Sequence, residues 1–238
     1  MVVFPKLYTF LSYQFAFKCN PNNPVNNYLR IGTKINPSSK PRGRPKQIDD
    51  SHVLEAVLGV FWEKGYAGAS LSDLANAAGV SRPRLYDVFP DKEAMYLAVV
   101  DRVIGDTQAA LDAALVAERS LKDELSTFFE MSIHHYLSGV KSRGCLVTST
   151  APAEAIESPA VQLALKRLIA ALDEAFETRF RIAQERGENG APISAAMLGR
   201  QATAVVQSLA LRARGGAQIR EMQEIAEAAV QLMTVNSC

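Results

Sequence analysis

Apolar positions follow two different patterns along this chain. Before residue 49 they cluster without a sustained period. From Asp49 onward they recur every three or four residues. Val53, Leu54, Val57, Leu58 and Phe61 carry the first helical stripe, which predicts an amphipathic helix over 50–64 with Asp49 or Asp50 as N-cap and Gly65 as its stop. In the next run, Leu71, Leu74, Ala75 and Ala78 share one side of a short helix. Ser70 and Asp73 resemble a capping box, although Asp is shorter than the usual Glu or Gln, and Gly79 supplies the left-handed turn that ends the helix. Ser81 then caps a second short helix over 82–88, with Pro83 in the first turn, where its missing N–H costs little. A fourth helix is expected from Lys92 to about Glu118. Further helices are expected over 121–138, 145–155, 160–186, 194–213 and 218–235, separated by turn signals at Gly139, Ser158-Pro159, Gly187 to Pro192 and Gly215-Gly216. No strand alternation appears, so the predicted fold is all-α.

The two short helices joined at Gly79 describe a helix-turn-helix, with Ala75 small enough for a close crossing and Val80 and Leu85 as core plugs. A plain αα-corner also places Gly between apolar runs. Arg82, Arg84 and Tyr86, concentrated on the second helix, favour contact with nucleic acid.

Charge sharpens this picture. The net charge is +1, yet residues 1–48 hold eight basic residues and no acid, leaving 18 basic against 25 acidic residues in the rest. Between Lys40 and Arg102 nine basic residues meet nine acidic ones, so that segment has little general pull on a polyanion. The apolar run FPKLYTFLSYQFAF is broken by Pro5, Lys6, Ser12, Gln14 and Lys18, short of the roughly 20 residues of a membrane span, and lacks signal-peptide features. NPNNPVNNYLRIGTKINPSS reads as disordered. Residues 1–36 favour amino acids with A/T-rich codons, which leads to the expectation that this stretch is upstream DNA read from a misplaced start. The alternative is a genuine disordered tail. The cysteines Cys19, Cys145 and Cys238 are scattered and odd in number, as in a reducing cytosolic compartment.

From about Ile48 to Arg102 the chain resembles the DNA-binding domain of the TetR/AcrR family of bacterial transcriptional regulators. The features that carry the resemblance are Phe61, Lys64, Gly65, Tyr66 and Ser70 in FWEKGYAGAS, the LANAAGVS turn, Leu85, Tyr86 and Phe89 in LYDVF, and the opening DKEAM of the fourth helix. The resemblance implies an N-terminal three-helix helix-turn-helix domain over 48–107, followed by a helical ligand-binding and dimerisation bundle over 108–238. A disordered tail over 1–40 and a basic arm over 41–47 precede them.

In such a geometry the second helix enters the major groove. Arg84 is the first choice for reading guanine O6 and N7, and Arg82 either reads a base or holds a phosphate. Tyr86 and Lys92 match positions that reach phosphates in the family resembled, and Ser70, Ser72, Ser81 and Pro83 complete the expected DNA-binding set. Asp87 is read as a restraint on Arg84 or Arg82. In PRGRPK, Arg42 and Arg44 suit a narrow minor groove, with a solvated linker as the alternative.

For the second half, the resemblance implies an unknown small-molecule effector and a homodimer formed by the last two helices. Ala195, Leu198, Ala202, Val205, Leu209, Ile225, Ala228, Ala229 and Leu232 supply the stripes for that interface, or else face their own core. Phe128, Phe129, His134, Tyr136 and Phe176 are pocket candidates, against the commoner reading of aromatics as core. No metal is expected at His134-His135, because adjacent helical residues point about 100° apart and no third ligand is suitably spaced. No other cofactor is expected. Cys145 is either an oxidant-sensing thiol or an inert buried one. No nucleophile–base set argues for an enzyme. The expected function is a cytoplasmic regulator, a ligand-responsive repressor on a palindromic double-stranded operator. The alternative is a dimeric helical small-molecule-binding protein without specific DNA binding.

Overall fold

The computed structural model describes residues 49–138 and 143–234. Among them the chain forms nine α-helices and no strand. These are α1 (Asp50–Gly68), α2 (Leu71–Ala78), α3 (Arg82–Val88), α4 (Lys92–Ala114), α5 (Leu121–Leu137), α6 (Leu146–Glu154), α7 (Pro159–Glu185), α8 (Ala195–Arg214) and α9 (Ile219–Met233). The arm at 41–47, the segment at 1–40, Gly139, Cys19 and Cys238 lie outside the described residues.

Side-chain caps set most helix starts. Ser70 and Asp73 form the reciprocal capping box in full, and Ser81, Asp91, Ser120, Ser158 and Ser194 each accept from a first-turn N–H. At Gly65 the backbone swings to φ 70, ψ 178 and kinks α1, which then continues to Gly68. Val53, Val57, Leu58 and Phe61 face inward and meet Leu74, Ala78, Leu85, Met95 and Tyr96 in one continuous core.

One further expectation is corrected. α4 stops at Ala114 instead of about Glu118, because the following loop is organised by a buried carboxylate. The N–H groups of Ala117, Glu118 and Arg119 all donate to Glu124, and Ala117 takes a left-handed φ of 57 to do so. Arg179 pairs with Glu124, and also donates to Arg119 O and Glu188 at 3.0 Å each. The stripes of α8 and α9 divide between the two readings left open by the sequence. Leu198, Ala202, Leu209 and Ala229 are buried within this chain's own core, while Ala228 and Leu232 face outward. The same periodicity serves either face, and α8 uses its small residues to approach α7: a Cβ on Gly199 would lie 2.8 Å from Glu177 N.

In the second half, α7 and α8 run along each other, α9 covers α5 and α8, and short α6 is wedged among α1, α4, α7 and α8. That wedge joins the helix-turn-helix to the rest of the bundle.

Candidate nucleic-acid interface

α2 and α3 meet at a tight corner. Gly79 takes φ 66, ψ 28, and Val80 N–H donates to Ala75 O at 3.0 Å, closing α2 as the sequence requires. Leu85 is fully buried and anchors α3, while Ser81, Arg82, Pro83, Tyr86 and Asp87 are exposed along its free side. The α2–turn–α3 unit therefore presents a short polar helix outward from an apolar foot.

The expected contact residues are not equally free. Ser70 spends its hydroxyl and backbone N–H on the capping box: both donate to Asp73, and the hydroxyl oxygen accepts from Asp73 N–H. Lys64 lies 2.7 Å from the same carboxylate, and this bond, followed by those from Ser70, holds Asp73 down at about 2. Ser72 accepts from the Arg82 guanidinium, which ties the first basic residue of α3 back to α2. Arg84 is turned toward α1, with Nη2 at 2.7 Å from Asp50, and its other amino group is 3.9 Å from Asp87. Lys92 sits 4.5 Å above the Tyr66 ring, a cation–π placement at the start of α4. Tyr86 is unencumbered at 44% exposure. Arg42 and Arg44 lie outside the described residues.

In the second half Phe128, Tyr136 and Phe176 are buried, and the Phe128 and Phe176 rings meet at 5.3 Å and 89° with Phe129 beside them. His134 is separate from this cluster. It is exposed and lies 3.0 Å from Glu130. Burial pushes the Tyr136 phenol far above its ordinary range. Cys145 is buried at the start of α6. Among the described residues no group of three His, Cys, Asp or Glu side chains could hold a metal ion.

Sequence reasoning missed the joint between the halves. Trp62 Nε1 donates to Gly144 O at 3.1 Å, and Arg214 donates to the carbonyls of Trp62 and Arg143. Buried Tyr96 meets Thr150 Oγ1 at 2.6 Å, and Thr150 in turn donates to Leu146 O. Burial raises the Tyr96 phenol to about 12, and with the Thr150 hydroxyl proton given to Leu146 O the phenol is the donor of the pair. The only sequence signal at this joint was Gly144, whose φ of 64 and tight approach to Ala210 O exclude a side chain.

Residues 53–99 match the family model described as bacterial regulatory proteins, tetR family. The transcriptional repressor ComR of Escherichia coli K12 is 29% identical over 194 residues, covering 81% of this chain and 92% of that protein. The transcriptional activator FasR of Mycolicibacterium smegmatis is 31% identical over 116 residues, 46% of this chain and 53% of FasR. Among solved structures, a cysteine mutant of the regulator CifR in complex with 26 bp double-strand operator DNA gives a TM-score of 0.72 at 26% identity, covering 79% of this chain and 98% of that one. Reduced NemR of Escherichia coli gives 0.71 at 18% identity with the same coverage, a likeness of fold.

Proposed function

This chain belongs to the TetR family of bacterial transcriptional regulators, and from that premise we propose that it is a ligand-responsive repressor working as a homodimer on a palindromic operator. The observation that carries the reading is the α2–Gly79–α3 corner, with Leu85 as its anchor and polar residues along the outer side of α3. It supports a recognition helix in the major groove, with Ser81, Arg82, Pro83, Arg84, Tyr86, Ser70, Ser72 and Lys92 on or beside the DNA face and Arg42 and Arg44 as an additional arm. Repression is favoured over activation because ComR, named a repressor, matches over most of both chains, whereas the FasR match spans about half of each.

The chain acts by binding and not by catalysis, in the cytoplasm where its DNA lies. Among the described helices none is long and apolar enough to cross a membrane. An apolar effector occupies the second half beside Phe128, Tyr136 and Phe176, without His134. It releases DNA by favouring a spacing of the two recognition helices that DNA does not.

Selection of bound sequences from random duplexes tests the proposal. The expected product is two inverted half-sites whose centres are about 34–36 Å apart. Recovery of no common sequence at low salt would overturn it.

A further inference from the structure

Arg84 has the side chain best suited to reading guanine, yet its guanidinium is directed elsewhere. Nη2 lies 2.7 Å from Asp50 on the first turn of α1, and the other amino group is 3.9 Å from Asp87 on α3 itself. We propose that Arg84 is a positioning residue: paired with Asp50, it clamps α3 to the start of α1 and sets the angle at which α3 meets DNA, leaving base edges to its exposed neighbours. The inference rests on the DNA-binding reading above and refines how that face works.

Three observations carry it. First, α3 has seven residues, too few to be stable or oriented by its own hydrogen bonds, and Leu85 alone among its side chains is buried. A pair bridging 34 positions of sequence ties α3 to α1, and with the Arg82–Ser72 bond to α2 it fixes rotation about that buried anchor. Second, moving Arg84 onto a base would strip the partner from Asp50 and leave it, with Asp49 and Asp87, facing a polyanion. Residues 49–102 already hold nine acids against five basic residues (Lys64, Arg82, Arg84, Lys92 and Arg102), so the domain has no surplus cation to replace it. Third, the Arg84 side chain is 37% exposed, held between its two carboxylates, while Pro83 and Tyr86 stand clear on the outer side. Pro83 offers an apolar surface to a thymine methyl, and Tyr86 a hydroxyl to a base or phosphate.

An exposed pair of this kind contributes little to stability, so its effect should be read in binding. The full-length chain and the operator it selects provide the test. Asp50→Asn removes a negative charge from the DNA-facing domain, and general electrostatics alone would tighten binding. The clamp instead predicts that Asp50→Asn and Arg84→Gln each weaken binding roughly two- to tenfold, with unchanged thermal melting. The double variant should be no weaker than the weaker single one, since both remove the same pair. Base preference across the half-site should stay that of wild type. Arg84→Lys should restore binding to within about twofold, because an ammonium can pair with Asp50 but cannot replace a bidentate guanine contact.

Tighter binding by Asp50→Asn, or a new preference at one symmetric pair of operator positions in Arg84→Gln, would overturn the clamp while leaving the regulator reading intact. If wild type itself selected no sequence, the regulator reading would fall and the clamp with it.

Discussion

Glu124 and Arg179 show how much a single residue can organise. Their side chains are 0% and 1% exposed, and the Glu124 carboxylate receives three backbone N–H groups as well as the guanidinium. Removing one partner leaves a buried, uncompensated charge, which costs more than the pair itself contributes. Arg179→Met should therefore destabilise the chain by about 3–5 kcal/mol in urea unfolding. The double change Glu124→Gln, Arg179→Met should cost clearly less, and equal losses would refute the pairing argument. Asp73 makes a different, pH-dependent contribution. Lys64 and Ser70 lower its folded pKa from 3.8 to about 2, so unfolded chains bind more protons between those values. Its stabilisation is complete above the unfolded pKa and is lost as pH falls through the folded one. Asp73→Asn should flatten the fall in melting temperature between about pH 4 and pH 2, measured against wild type.

At the scale of elements, α7 and α8 depend on Gly199. A Cβ there would stand 2.8 Å from Glu177 N and 3.0 Å from Asp173 O, both backbone atoms that cannot rotate away. Gly199→Ala should push the helices apart and cost about 1–3 kcal/mol in thermal unfolding, despite the better helix propensity of alanine. An unchanged or raised melting temperature would contradict the close packing. The helices themselves were legible in the sequence because caps and glycines are local signals: Ser70, Gly79, Ser81 and Ser194 each act within four residues of where they stand. What failed to show was long-range. Glu124 in LKDELS reads as an ordinary surface acid, because the Arg179 guanidinium that pairs with it inside the core stands 55 residues away, and without that burial its hold on the N–H groups of 117–119 leaves no sequence signal. The α8 and α9 stripes were found, but periodicity cannot say whether Leu198 and Leu209 face a partner or their own core. The short helix α3 was located from local spacing, whereas the Arg84–Asp50 pair spans 34 residues and leaves no local trace.

For the whole molecule, the proposed regulator would place one helix-turn-helix on each half-site, and the acidic balance of residues 49–102 would make a single contact weak. Two recognition helices held by one dimer convert the second contact into an intramolecular event and raise affinity by effective concentration. The outward apolar residues of the last two helices fit the seam that would hold them. Leu232 is 77% exposed and Leu211 54%, with Met197, Ala204 and Ala228 also facing out after the core has taken Leu198, Ala202 and Ala229. Charges introduced on α9 should thus separate the subunits without unfolding either one. The double variant Ala228→Glu, Leu232→Glu is expected to sediment as a monomer with unchanged helical content. Its operator affinity should fall by roughly 10²–10⁴-fold, the usual range of an avidity gain. The slope of log affinity against log salt should also shrink toward half, because a monomer neutralises half as many phosphates. A variant that sediments as a dimer would place the subunit seam elsewhere. A monomer that still binds the full operator at wild-type affinity would mean that one helix-turn-helix suffices, despite its nine acids.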